Sequence, residues 1–236
     1  MATLRIDKYL SVALDVSRTD AKLLLRSGVV FVNGQKVTKG DTKIDTTDKV
    51  LVNGKETEYK EYIYIIMNKP EGILSASTDK RVKTVVDILP ENLKREGLFP
   101  VGRLDKNTTG LLIITNDGDF GHKVTSPKTL IEKCYYAELD GKVTPECVTL
   151  FENGVTLVSG EECKPALLTP VGERSALVTI TEGKYHQIKR MFGVAGLGVN
   201  KLHRQSIGKL TLPENLKLSE SRELEPQEIL KIFDKN

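Results

Sequence analysis

The chain has 236 residues and a formal net charge of +3, with 39% hydrophobic and 28% charged residues. This composition excludes a disordered chain, and no apolar run approaches the roughly 20 residues that a membrane-spanning helix requires. Cys134, Cys147 and Cys163 show no CxxC spacing, and the N-terminus MATLRIDKYL lacks a signal-peptide apolar core, so reduced thiols in a cytoplasmic protein are expected. His122, His186 and His203 lie far apart and form no HExxH pair, so no metal site is expected.

The positive charge is uneven. Residues 1–43 hold eight Lys and Arg against four Asp, so this segment alone exceeds the excess of the whole chain. Within it, Ile6, Leu10 and Leu14 recur at i, i+4, i+8, which predicts a short amphipathic helix over 5–14. A second helix follows, with Ser17 as its cap, Asp20 in its first turn and Gly28 as a left-handed stop. Arg18, Lys22 and Arg26 share one face of that helix, each turned about 40° from the last. Such a face is either a solvated surface or an anion-binding one, and residue type alone does not choose. The pairs Asn33-Gly34 and Asn53-Gly54 each follow a short apolar run and mark tight hairpins, because both positions tolerate positive φ. Two helices leading into hairpins predict a small domain over residues 1–59.

The stretch LRIDKYLSVALDVSRTDAKLLLRSGVVFVNGQKV resembles the RNA-binding domain first described in ribosomal protein S4, over about residues 3–50. The resemblance implies that Arg5, Arg18, Lys22 and Arg26 contact structured RNA. Proteins with unrelated activities share this module, so it locates RNA contact without naming a reaction.

From Glu61 the pattern changes. YIYIIMNKP, GLLIITND, KCYYAEL and SALVTITEG read as strands bounded by Pro, Gly, Asn and Asp. Helices are expected over 82–89, stopped by Pro90, and over 185–193 and 225–233. There is no regular βαβ alternation. The expected class is therefore α+β: a small N-terminal helix-hairpin domain, then a larger domain, residues 60–236, on a mixed, mostly antiparallel sheet with flanking helices.

GRLDKNTTGLLIITNDGDF, residues 102–120, places a cation, an acid and small polar residues in a loop before an apolar strand. Asp105 could simply cap the turn. Asp105, Asn107, Thr109 and Gly110 also mimic the start of a calcium loop, but Asn116 stands where the bidentate glutamate belongs and the flanks read as strands. A third reading comes from resemblance: G-R-L-D followed by T-T-G-L-L-I-I-T-N-D-G closely resembles the catalytic motif of RNA pseudouridine synthases, in the branch with the small-subunit ribosomal enzyme and its large-subunit relatives.

That resemblance makes Asp105 the catalytic carboxylate and orders the other landmarks. NKPEGILSA, residues 68–76, is similar to the motif in which Lys69, Pro70 and Gly72 shape the site, with Lys69 also expected at the substrate RNA. KCYYAEL supplies Tyr135 beside the bound base, with Tyr136 the alternative. EGKYHQIKRMF, residues 182–192, supplies the cation that pairs with the acid, Lys189 first and Arg190 second, with Arg190 otherwise an RNA contact. Arg103 is expected to enter the space left by a flipped nucleotide or to hold a flanking phosphate. Alone, an Arg in a loop is usually a surface ion pair and a strand Tyr a core residue.

The implied reaction breaks the glycosidic bond at uracil nitrogen 1 and remakes it at carbon 5. It changes no oxidation state and transfers no external group, so no cofactor is expected. Gly193, Gly196 and Gly198 do not form a dinucleotide fingerprint. The expected partner is ribosomal RNA, free or as a partly assembled subunit, bound by a monomer. The 16S RNA is favoured because the chain ends soon after Phe233 without a basic tail, with 23S RNA, or a silent assembly factor, as the alternatives.

Overall fold

The apolar stripes read from the sequence build the first of two cores. In the computed structural model, which describes residues 3–234, β1 (Thr3–Arg5) leads into α1 (Ile6–Leu14), which buries Ile6, Tyr9 and Leu10. The helix α2 (Arg18–Arg26) buries Ala21 and Leu25. Ser17 caps it by accepting from the Asp20 amide at 3.1 Å, and Gly28 leaves it at φ 74°. Both Asn-Gly pairs turn with positive φ at each residue. They close the hairpins of β2 (Val30–Val32) with β3 (Gln35–Lys36) and, after β4 (Lys43–Asp45), of β5 (Val50–Val52) with β6 (Lys55–Thr57). The antiparallel order is β3-β2-β5-β6, and β1 pairs separately with β4. The chain divides into compact units between Ile63 and Tyr64. This is a few residues beyond the expected boundary, because Tyr59 still packs on the first core, stacked on Tyr9 at 5.3 Å.

The second unit contains β7 (Tyr64–Lys69), β8 (Phe99–Pro100), β9 (Thr108–Thr115), α3 (Gly118–Thr125), β10 (Lys133–Leu139) and α4 (Pro145–Glu152). There follow β11 (Leu167–Gly172), β12 (Ser175–Ile180), α5 (Gln187–Val194), β13 (Val199–Ile207), β14 (Leu210–Thr211), β15 (Ser221–Glu223) and α6 (Pro226–Lys231). One sheet runs β11-β12-β10-β13-β9-β7-β15, with β14 on β13 and β8 on β9. Its one parallel pair among the described strands is β13 with β9; the others are antiparallel. The fold is thus α+β on a mixed, mostly antiparallel sheet. The centre is driest where β7 meets β9: Ile65, Ile66 and Met67 lie beside Leu111, Leu112, Ile113 and Ile114, all fully buried. Unbroken apolar runs of this kind belong to strands covered on both faces.

Three helix expectations are corrected. Residues 82–89 form turns: the Asp87 carboxylate accepts from both the Thr84 amide (2.8 Å) and hydroxyl (2.9 Å), a local alternative to helix that the β-branched Val85 and Val86 do not oppose. The helix expected from 185 begins at Gln187, because His186 sits at φ 50° in the left-handed region. The last helix is shorter, Pro226–Lys231. The helices α3 and α4 were not anticipated from the sequence, although Asp117 and Thr144 cap them by accepting from the Phe120 and Cys147 amides.

Arg222 on β15 donates through two nitrogens to Glu228 on α6, at 2.7 Å each. Hydrogen bonds from Arg222 lower the Glu228 carboxyl from 4.5 to about 2. A carboxyl depressed on folding contributes stability that is present above the unfolded value and lost as pH falls through the folded one. Glu228→Gln is therefore expected to cost about 1–2 kcal/mol at neutral pH, discounting for partial exposure. In urea titrations at several pH values, the gap to the parent protein should close as pH falls from 4.5 towards 2.

Candidate active site

The loop that carries Asp105 is gripped from below by the segment after β7. Lys69 ends that strand with a side chain at 0% exposure, and its ammonium donates to the carbonyls of Pro70 (3.0 Å), Asp105 (3.2 Å), Lys106 (3.4 Å) and Thr108 (3.0 Å). The Gly72 amide donates to Lys106 O at 2.8 Å from a residue at φ 84°. Ser75 Oγ donates to Leu104 O and accepts from Leu104 N. Lys69, Gly72 and Ser75 thus hold the backbone on both sides of Asp105. Burial pulls the Lys69 amine down to about 8, against the pull of the Asp105 and Glu71 charges, and the carbonyl dipoles take the place of water around the cation.

Beyond the loop, Gly110 sits opposite Arg204 in the parallel pairing of β9 with β13. At φ 104° it takes a conformation that favours glycine, and a Cβ there would collide with the Arg204 backbone. This close approach sets Arg204 beside the loop. Its Nε donates to Leu111 O at 2.7 Å, Nη1 donates to the Tyr135 hydroxyl at 3.3 Å, and buried Nη2 has no partner among the described residues.

The Asp105 carboxylate meets two side chains from the start of α5. Lys189 Nζ lies 2.9 Å from Oδ2 and His186 Nε2 lies 3.5 Å from Oδ1. Lys189 also donates to Asn107 Oδ1 at 2.6 Å, so it spans the loop. The left-handed His186 turns the chain into the helix, which lets residues 186 and 189 face the same carboxylate. Asp105 keeps 23% of its side chain exposed and opens onto a cleft of about 610 Å³ that Arg103, Lys133, Tyr135, Tyr185 and Arg204 also line. Burial lowers the Lys133 amine to about 8, and the Arg204 charge acts in the same direction. Arg103 is exposed and makes no side-chain hydrogen bond or ion pair among the described residues.

The structure thus brings Arg103, Asp105, Tyr135 and Lys189 together. Other expectations change. Lys69 was expected at the RNA, but it is fully buried and committed to loop carbonyls. Arg190 does not pair with the acid; it bonds Glu161, Ser159 and Tyr185 O. Tyr136 alternates to the opposite sheet face from Tyr135 and does not line the cleft. Sequence reasoning missed Ser75, His186 and Arg204. His186 lies inside the EGKYHQIKRMF motif, whereas Arg204 stands in a segment whose sequence did not mark it as a strand.

In the first unit, Asp7 is 1% exposed and accepts from Arg5 Nε (3.1 Å), Arg5 Nη2 (2.8 Å) and Arg18 Nη2 (3.2 Å). Burial pushes its carboxyl up, but the Arg5 hydrogen bonds and the charges of Arg18, Arg5 and Lys22 outweigh this and hold it below the usual range. Arg5 and Arg18 remain about half exposed, and Lys22 and Arg26 are exposed.

A family model described as RNA pseudouridylate synthase matches residues 63–193, more than half of the chain. The chain belongs to the RNA pseudouridine synthase family. An S4 domain model matches residues 4–50. The chain is similar to ribosomal small subunit pseudouridine synthase A of Vibrio cholerae, 39% identical over 98% of this chain and all of that protein. It is 35% identical to ribosomal large subunit pseudouridine synthase B of Bacillus subtilis, over 97% and 95% of the two chains. A crystal structure of a pseudouridylate synthase, 34% identical, superposes with a TM-score of 0.69 over 97% of this chain and 99% of that one. As a pseudouridine synthase the protein is an isomerase. Among the described residues no cluster of three His, Cys, Asp or Glu could hold a metal ion, and no helix is long and apolar enough to cross a membrane.

The carbonyl grip predicts that Lys69 fixes the loop of Asp105 in this pseudouridine synthase. Lys69→Met is expected to lower the turnover of uridine by at least about ten-fold, the cost of displacing a reacting group by a fraction of an ångström to one ångström. Filter binding should show RNA affinity unchanged within about two-fold, since the side chain does not reach the surface. A selective loss of affinity would instead return Lys69 to the RNA.

Proposed function

We propose that this pseudouridine synthase converts a uridine of 16S ribosomal RNA to pseudouridine, with Asp105 as its catalytic carboxylate. The observation that carries the reading is the Asp105 carboxylate at the mouth of the cleft, met by Lys189 at 2.9 Å. Small-subunit enzymes at 35–39% identity, that of Vibrio cholerae among them, support 16S RNA, beside 35% for the large-subunit enzyme of Bacillus subtilis. The near-equal match to the latter supports 23S RNA as the second reading.

The reaction needs a carboxylate that adds to the sugar, removes its 2′ proton or adds to the ring, followed by rotation of the uracil and loss of the carbon 5 proton. In each route Lys189 and His186 orient Asp105 towards the flipped nucleotide. Tyr135, held by Arg204, offers its ring to the uracil and its hydroxyl to the proton leaving carbon 5. Arg103, free of protein partners among the described residues, takes a flanking phosphate or the space the nucleotide vacates. Arg5, Arg18, Lys22 and Arg26 bind phosphates from the S4 domain, with Asp7 presetting the two guanidinium groups nearest to it. The protein acts as a monomer, on free RNA or on a partly assembled subunit.

Purified protein is expected to release tritium from uracil labelled at carbon 5 in 16S RNA or a partly assembled small subunit. Asp105→Asn should abolish release while still binding. Release from 23S RNA alone would move the target to the large subunit, and none from any of these would overturn the ribosomal reading. The double substitution Lys22→Gln with Arg26→Gln is expected to flatten the salt dependence of binding by about 0.7–0.9 log units per decade for each phosphate that is no longer neutralised. An unchanged slope would make that face an ordinary solvated surface.

A further inference from the structure

We infer that Tyr185 is a stacking platform for the nucleobase next to the target uridine. Among the described residues it is the one large apolar side chain at least half exposed, at 76%, that lines the cleft. Its ring is not loose. It stacks on His186 with centroids 3.9 Å apart and planes 16° from parallel, and His186 in turn faces Asp105 at 3.5 Å. The backbone beneath it is tied on both sides. Arg190 Nη1 donates to Tyr185 O at 3.1 Å, and the Lys184 amide donates to Gln187 Oε1 at 3.0 Å.

An aromatic ring backed by a second ring and held by such anchors presents a flat, preorganised face to solvent at little entropic cost on binding. A flipped uridine entering the cleft must drag its neighbour to the rim, where its base has lost one stacking partner. Tyr185 replaces that partner, and Arg103, which lines the same cleft and makes no side-chain hydrogen bond or ion pair among the described residues, is available for a flanking phosphate. Every base has a π face, so the subsite accepts any flanking base; it contributes affinity and places the backbone without reading sequence. The inference rests on Asp105 marking where the reacting uridine sits.

The test uses the full chain and a single-stranded hexaribonucleotide with 2-aminopurine next to a central uridine. The parent protein should quench the aminopurine, Tyr185→Ala should raise the dissociation constant about 5- to 150-fold, the range for loss of a base–aromatic stack, and Tyr185→Trp should restore it. Tritium release from ribosomal RNA should show the same pattern in kcat/KM. No quenching by the parent protein, or equal quenching and affinity for Tyr185→Ala, overturns the subsite. If the aminopurine pattern holds without tritium release by the parent protein, the subsite stands and the ribosomal target fails. If release is normal and indifferent to Tyr185→Ala, the catalytic reading stands and the subsite falls.

Discussion

A single buried ammonium organises this site. Lys69 has no exposed surface, and its charge is accommodated because four carbonyls converge on it, those of Pro70, Asp105, Lys106 and Thr108. The cost of burying a cation is visible in its lowered proton affinity. In exchange, a loop with little regular structure acquires a fixed backbone, and the carboxylate on it acquires a fixed origin. The Ser75 and Gly72 hydrogen bonds work to the same end at Leu104 and Lys106, on either side of Asp105. A charged group on a loop gains a fixed position only when the scaffold over-determines the loop, and here a strand end does so.

The cations around the cleft divide the work by burial. Lys69 acts on backbone alone, Lys189 meets the carboxylate directly, and Arg204 reaches the tyrosine hydroxyl from inside the sheet. Arg103 keeps its charge for solvent or substrate. The same logic recurs in the S4 domain, where buried Asp7 holds Arg5 and Arg18. There an acid orients cations, whereas in the catalytic unit cations orient an acid. Both arrangements fix the geometry of a charged group before any RNA arrives, so less ordering cost falls on binding.

Local chemistry made much of this chain legible without coordinates. Ser17, Gly28 and the two Asn-Gly pairs specify their caps and turns through their own backbone preferences. The apolar runs of β7, β9, β10 and β12 announce strands because their burial requires it. The segment 82–89 misled because its apolar spacing suits a helix, whereas Thr84 and Asp87 satisfy the backbone locally. Resemblance to RNA pseudouridine synthases was carried by contiguous motifs, so it singled out Asp105, Tyr135 and Lys189, which the fold then brings to one cleft.

Sequence by itself therefore determined the class of fold, the membership of the family and the motifs from which Asp105, Tyr135 and Lys189 were singled out. Tertiary structure decided what each of those residues touches. It withdrew Lys69 from the surface and turned it onto the loop, paired Lys189 and not Arg190 with Asp105, and added His186 and Arg204. The reason is physical. Caps, turns and strand runs depend on neighbours in the chain, but Asp105 and Lys189 are 84 residues apart and Arg204 and Tyr135 are 69 apart. The antiparallel pairing of β10 with β13 sets Tyr135 opposite Arg204. The parallel crossing of β9 and β13, which Gly110 permits by lacking a side chain, brings Arg204 to the end of the Asp105 loop, and the left-handed entry to α5 brings Lys189 to Asp105.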